Sequence, residues 1–127
     1  PPLGIMVETP AAALTLDLIP ADFYSIGSND LTQYVMAAAR DGEGRVGALN
    51  DPLQPAVLRL IGEVVRQGAA SGTPVSLCGD MASEPRAAAA LVGLGLRRLS
   101  VAPAALARVK LALAGLTAGA GLIAGDD

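Results

Sequence analysis

The chain has 127 residues, a length that suits one modest domain. Its net charge of −3, its nine basic residues and its three aromatic residues (one Phe, two Tyr) disfavour nucleic acid as a partner. One cysteine and no histidine occur, so the chain forms no internal disulfide and has no histidine base, zinc ligand or phosphoryl carrier of its own.

Four short apolar segments, each followed by signals for a helix start, predict the framework of the fold. They are residues 3–8, 22–27, 73–79 and 96–102. After the first segment, Thr9 is a predicted N-cap and Pro10 the first helical residue. After the third segment, Ser83 is the predicted cap and Pro85 lies in the first turn.

The remaining stretches predict a long helix, a loop and a tail. Residues 55–70 place five apolar side chains on one helical face: Val57, Leu60, Ile61, Val64 and Val65. Residues 40–55 are rich in Gly, Asp and Pro and indicate a surface loop. From Gly115 onward the pattern has no periodicity, so we expect a flexible tail over residues 115–127 after a domain of residues 1–114.

No part of the sequence predicts a membrane span or a signal peptide. The uncharged stretch 111–125 is too short and too rich in Gly and Ala to span a bilayer. The first residues lack a basic segment followed by an apolar core. We therefore expect a cytoplasmic location and no membrane partner.

Strands that alternate with helices and are apolar on both faces predict an α/β fold with a parallel sheet. A four-stranded doubly wound sheet and one half of an eight-fold barrel both satisfy this pattern, since a whole barrel needs about 250 residues. In both folds the site lies at the carboxyl ends of the strands. Those ends carry Glu8, the run Ser28, Asn29 and Asp30, then Cys78 and Ser100.

Three of these polar residues have two interpretations each. Glu8 is either a carboxylate near a helix N-terminus or a ligand for a hard cation. Asn29 and Asp30 are either helix caps or parts of a site for an anion and its magnesium ion, where Gly27 permits close approach.

Two further residues are ordinary when taken alone. Arg40 closes the predicted second helix, where a cation is common. Cys78 suits a small buried position, and its thiol could also donate a proton.

Four motifs in the order found here resemble the PEP-utilising enzyme family, and within it the C-terminal, PEP-binding domain of Enzyme I of the bacterial phosphotransferase system. They are "GIMVETPAA", "DFYSIGSNDLTQYVMAAARD", "LNDPLQPAVLRLI" and "SLCGDMA". The resemblance covers nearly the whole chain up to about Leu113. Linked motifs at family-like spacing are far more specific than any single one.

The resemblance implies a (β/α)8 TIM barrel, of which this chain would supply the C-terminal half as four strand–helix units. It implies that Glu8 and Asp30 bind Mg²⁺ and that Asn29 and Arg40 bind the phosphate of phosphoenolpyruvate (PEP). Cys78 would protonate enolpyruvate to pyruvate, and the phosphoryl group would pass to a histidine on another domain.

The resemblance also implies partners outside the chain. These are the N-terminal half of the barrel, the domain with the phosphorylated histidine, and the phosphocarrier protein HPr in sugar uptake. Because those parts are absent from the chain, we expect it to be inactive alone. Two unpaired edge strands, near residues 3–8 and 96–102, predict self-association.

Two alternative functions remain open. The related PEP-binding domains of pyruvate phosphate dikinase and PEP synthase share the Glu, Asn-Asp and Cys motifs, although the dikinase tends to have an arginine where this chain has Ala11. The second alternative is a half-barrel that only associates with a partner and performs no chemistry.

Overall fold

A sheet of three parallel strands in the order β1-β2-β3 organises the chain. In the computed structural model, which describes residues 1–38, 51 and 53–120, the strands are β1 (Gly4–Val7), β2 (Phe23–Gly27) and β3 (Val75–Cys78). The helices are α1 (Pro10–Leu14), α2 (Ser28–Met36), α3 (Pro55–Ser71), α4 (Pro85–Gly93) and α5 (Leu106–Ala120). The predicted α/β class and parallel pairing are confirmed.

The helices cover one face of the sheet and form the core with it. From the strands, Val7, Ile26 and Leu77 point into this core and are fully buried. From α3, the predicted apolar face supplies three fully buried side chains and two that are partly buried: Val57, Ile61 and Val64, then Leu60 and Val65. Buried branched side chains on both layers are the usual construction of a parallel sheet.

The fourth predicted strand is reduced to one parallel bridge, between Leu77 and Leu99, so the expected count of four strands is not confirmed. The amide of Leu77 donates to the Arg98 carbonyl at 3.0 Å, and the amide of Ser100 donates to the Leu77 carbonyl at 2.9 Å. Beyond this point the amide of Ala102 donates to the hydroxyl of Ser83 instead. The ladder stops because the backbone there bonds to a side chain.

Of the two predicted N-caps, one is confirmed and the other is wrong. The Thr9 hydroxyl accepts from the Ala12 amide, as predicted, and Pro10 opens α1. For α4 the predicted cap, Ser83, is wrong. Glu84 takes that place, because its carboxylate accepts from the Ala87 amide, whereas the Ser83 hydroxyl bonds to the chain near the fourth segment.

The C-terminal helix extends past the predicted domain boundary. Helix α5 continues to Ala120, so residues 115–120, assigned above to a flexible tail, are helical. Residues 121–127 and the predicted loop from 40 to 50 lie outside the described residues. Among the described residues no helix is both long enough and apolar enough to cross a membrane.

The second face of the sheet is not covered by helices. It exposes Met6 on β1 and Phe23 on β2, which are 50% and 40% accessible. Leu3, just before β1, is 74% accessible. The sheet therefore has one packed face and one open face. β1 forms one edge, and no described strand lies on its outer side.

Candidate functional site

The carboxyl ends of the three strands meet at one edge of the sheet, as the sequence predicts. The register pairs Val7 with Ile26 and Gly27 with Cys78. Glu8 therefore follows β1 beside the end of β2, whose helix α2 begins at once with Ser28. Four of the five predicted site residues, Glu8, Asn29, Asp30 and Cys78, lie at this edge.

The side chain of Glu8 lies against Gly27. A Cβ atom at Gly27 would lie 2.8 Å from the Glu8 Cγ and 3.1 Å from its Oε1, so any larger residue would displace the carboxylate. Burial raises the pKa of Glu8 above its ordinary value of 4.5, and a hydrogen bond with Asp30 and repulsion by its charge raise this pKa further. The two carboxyl groups are thus immediate neighbours.

Asp30 lies in the first turn of α2, and Gln33 holds it there. The Gln33 Nε2 donates to the Asp30 Oδ1 at 3.2 Å and to the Asn29 carbonyl at 3.4 Å. Two adjacent carboxylates provide the hard oxygen ligands that Mg²⁺ takes from proteins, usually one or two together with phosphate oxygens. No group of three or more His, Cys, Asp or Glu side chains suited to a metal occurs among the described residues. Glu8 and Asp30 could therefore supply part of the ligand set of such a cation.

Asn29 does not cap the helix. The cap of α2 is Gly27, which makes no side-chain capping bond, and Asn29 lies inside the first turn. Its Oδ1 accepts instead from the backbone amide of Asp80, on the loop after β3, at 3.0 Å. Because the partner is an N–H group, the acceptor must be the amide oxygen, and the Nδ2 group is the donor that remains.

Cys78 ends β3 and is partly buried. Its Sγ donates to the Ile26 carbonyl at 3.6 Å, across the β2–β3 pair. Arg40, the fifth predicted site residue, lies outside the described residues. Ser100, also named at a strand end, follows the single bridge at Leu99.

The sequence interpretation named Ser28 at a strand end without giving it a role, and it gave none to Gly79. The Ser28 side chain is fully buried, and its hydroxyl donates to the Cys78 carbonyl at 2.9 Å. Gly79 has φ +119° and ψ 178°, a conformation essentially reserved for glycine. Both residues lie inside the motifs quoted above, but their contact depends on the register of two strands and is not visible in the sequence.

Comparison with known proteins identifies relatives over most of the chain. The model of the family described as "PEP-utilising enzyme, PEP-binding domain" matches residues 1–118. A phosphoenolpyruvate-protein phosphotransferase of Cupriavidus necator is 47% identical over 110 residues, which are 85% of this chain and 19% of the relative. One of Haloferax volcanii is 50% identical over 116 residues, 90% of this chain and 20% of the relative.

A third relative is a "Multiphosphoryl transfer protein" of Xanthomonas campestris, 44% identical over 116 residues, 90% of this chain and 14% of the relative. The chain therefore spans about a fifth, or less, of the length of these relatives.

Proposed function

Because the chain belongs to the PEP-utilising enzyme family, in its PEP-binding domain, we propose that it forms part of a phosphoenolpyruvate-protein phosphotransferase and binds PEP with Mg²⁺. One observation carries the proposal. The two carboxylates, the amide of Asn29 and the thiol of Cys78 lie together at the carboxyl edge of a parallel sheet. This is the place where such sheets bind ligands.

Glu8 and Asp30 would hold the magnesium ion. The raised pKa of Glu8 supports this role, because two ionised carboxylates that repel each other are stabilised by a divalent cation between them. When bound, the cation would neutralise negative charge on the phosphoryl group. Gln33 would keep Asp30 oriented through its hydrogen bond to Oδ1.

Asn29 would bind the phosphate of PEP. Its Oδ1 is engaged by the Asp80 amide, so Nδ2 is the group that it can offer to a phosphate oxygen. The N-terminus of α2 favours an anion at the same place, because its first backbone amides have no partner within the helix. Arg40 is proposed as a second phosphate ligand on the strength of the motif alone.

Cys78 would act as the acid. When the phosphoryl group leaves the oxygen of PEP, the enolate of pyruvate forms. The S–H bond of Cys78 then breaks, a C–H bond forms at the methylene carbon, and the resulting thiolate takes a proton from solvent. Protonation at carbon makes the transfer effectively irreversible. The acceptor histidine must belong to another domain, since this chain contains no histidine.

Further partners follow from this function. We propose that the parent protein contains the first half of a TIM barrel, works with HPr in sugar uptake in the cytoplasm, and that this chain alone is inactive. The relatives named above favour this proposal over a dikinase or PEP synthase, since two are named phosphoenolpyruvate-protein phosphotransferases and the third a multiphosphoryl transfer protein.

Calorimetric titration of the chain with PEP in the presence of Mg²⁺ tests the proposal. We expect PEP binding that disappears in Asp30→Ala, because this variant removes one of the two metal ligands. Asp17→Ala is the control, since Asp17 is an exposed acid in the turn after α1 and outside the site.

Absence of PEP binding by the wild-type chain would leave it as a unit that only associates with a partner. Equal binding by wild type and Asp30→Ala would contradict the assigned metal site. Pyruvate formed by the isolated chain in a coupled assay would refute the prediction that it is inactive alone.

A further inference from the structure

Two hydrogen bonds join the start of α2 to the loop after β3. The Ser28 hydroxyl donates to the Cys78 carbonyl at 2.9 Å, and the Asp80 amide donates to the Asn29 Oδ1 at 3.0 Å. We call this pair of bonds the loop clasp. It connects residues about fifty positions apart in the chain, and two of its four residues, Asn29 and Cys78, are the proposed phosphate ligand and acid.

Gly79 lies in the chain between Cys78 and Asp80, and it packs directly against the Ser28 side chain. A Cβ atom at Gly79 would lie 2.1 Å from the Ser28 Oγ and 3.1 Å from the Asn29 Oδ1. Its φ of +119° is also unfavourable for any residue with a side chain. The close approach of the loop after β3 to the start of α2 therefore requires glycine at position 79, for both steric and conformational reasons.

The hydroxyl of Ser28 is not explained by helix formation. Serine is common at helix starts because its side chain caps the first amides, yet the cap of α2 is Gly27 and no side-chain capping bond is present. The Ser28 side chain is fully buried, where a hydroxyl costs free energy unless it is hydrogen-bonded. The bond that satisfies this hydroxyl is the one to the backbone of Cys78.

We propose that Ser28 is a positioning residue for Cys78. By binding the Cys78 carbonyl from the first residue of α2, it fixes the thiol relative to the next residue, Asn29, and so to the phosphate that Asn29 would hold. The role in catalysis rests on the proposed function. The effect of the Ser28 hydrogen bond on the position of the thiol does not depend on the proposed function.

Alkylation of the thiol measures this link directly. Cys78 is the one cysteine of the chain, so iodoacetamide followed by intact mass spectrometry reports on this position alone. In Ser28→Ala we expect the rate of Cys78 alkylation to rise roughly fivefold, equivalent to about 1 kcal/mol for one lost hydrogen bond at 1.4 kcal/mol per tenfold. The increase follows because the end of β3 opens more often without the bond.

Thr32→Val is the matched control. Thr32 is also buried on α2, and its hydroxyl donates at 2.7 Å to the Ser28 carbonyl within the helix, with no bond to β3. This variant removes a buried hydroxyl while preserving the shape of the side chain. Its melting temperature should fall about as much as that of Ser28→Ala, while its alkylation rate stays at the wild-type value.

An unchanged alkylation rate in folded Ser28→Ala would overturn the proposal. Equal increases in both variants would overturn it too, because they would indicate a general loss of stability. If Ser28→Ala does not fold, Gly79→Ala tests the loop clasp from its other side, since its methyl group would displace the Ser28 hydroxyl. A wild-type rate in that variant would likewise overturn the proposal. These measurements need neither PEP nor Mg²⁺, so their failure is distinguishable from failure of the proposed function.

Discussion

Glu8 and Asp30 place two like charges side by side at the end of β1 and the start of α2. Burial raises the pKa of Glu8, and the hydrogen bond with Asp30 and the repulsion by its charge raise this pKa further. A protein gains nothing for its own folding from such a pair at neutral pH. Such a pair suits the divalent cation that we propose for this site.

The pair gives the chain a defined pH dependence. Because the pKa of Glu8 is higher in the folded chain than its ordinary value of 4.5, the folded state binds the proton more tightly than the unfolded state. The stabilising contribution of Glu8 is therefore complete below pH 4.5 and is lost as the pH rises through the folded pKa.

Asp30→Asn should lower the pKa of Glu8 and reduce this loss of stability. The substitution keeps the shape of Asp30 and removes its charge. Carboxyl ¹³C NMR titration of Glu8 and melting temperatures on both sides of the transition measure the two effects. An unchanged Glu8 pKa in the variant would show that burial alone is responsible. Asp17→Asn, at an exposed position outside the site, should change neither quantity.

At the level of elements, two neighbouring side chains before α4 have different partners. The helix after β3 starts at Pro85 with Glu84 as its cap, whereas Ser83 bonds to the segment near Leu99. Glu84 thus accepts a hydrogen bond from the first turn of its own helix, whereas Ser83 accepts one from Ala102, at the end of the fourth predicted segment. Sequence alone could not separate these roles, because Ser is the commoner cap and its alternative partner lies 19 residues away.

Glu84→Ala should lower the free energy of unfolding by about 1 kcal/mol, since the Ala87 amide loses its acceptor. Urea denaturation followed by circular dichroism measures the change. Glu84→Gln is the control, because its amide oxygen still accepts from Ala87 while the charge is removed. A loss in Glu84→Gln as large as in Glu84→Ala would attribute the effect to charge and not to capping.

The elements also show which features a sequence can predict. Local signals suffice for the three strands, for the cap at Thr9 and for the apolar face of α3, since these depend on neighbouring residues. The same signals place Glu8, Asn29, Asp30 and Cys78 at strand ends. They do not reveal the contact of Ser28 with Cys78 or the shortness of the fourth strand, because both depend on how distant segments pair.

At the level of the whole molecule, the sheet has one covered and one open face. The open face exposes Met6 and Phe23, and the outer edge of β1 has no neighbouring strand among the described residues. An exposed strand edge with apolar side chains is a surface on which another chain can pair.

We predict that the isolated chain self-associates through this surface at micromolar concentration. Met6→Lys should shift the equilibrium towards monomer, because a charge on the open face opposes its burial. Analytical ultracentrifugation over a range of concentrations measures the shift. Leu111→Lys, at an even more exposed apolar position on α5, should leave it unchanged. A wild-type chain that sediments as a stable monomer would contradict the prediction.

The loop clasp also determines when the site can exist during synthesis. Ser28 and its acceptor on Cys78 are separated by 50 residues, so a ribosome that adds roughly 5–20 residues per second delivers the second partner about 3–10 seconds after the first. During that interval the Ser28 hydroxyl has no Cys78 carbonyl to bind, and β2 has no third strand beside it. An isolated pair of strands is marginally stable at best in water, so the carboxyl edge of the sheet is completed only after β3 has left the ribosome. A nascent chain arrested before β3 would therefore lack both the loop clasp and a stable sheet.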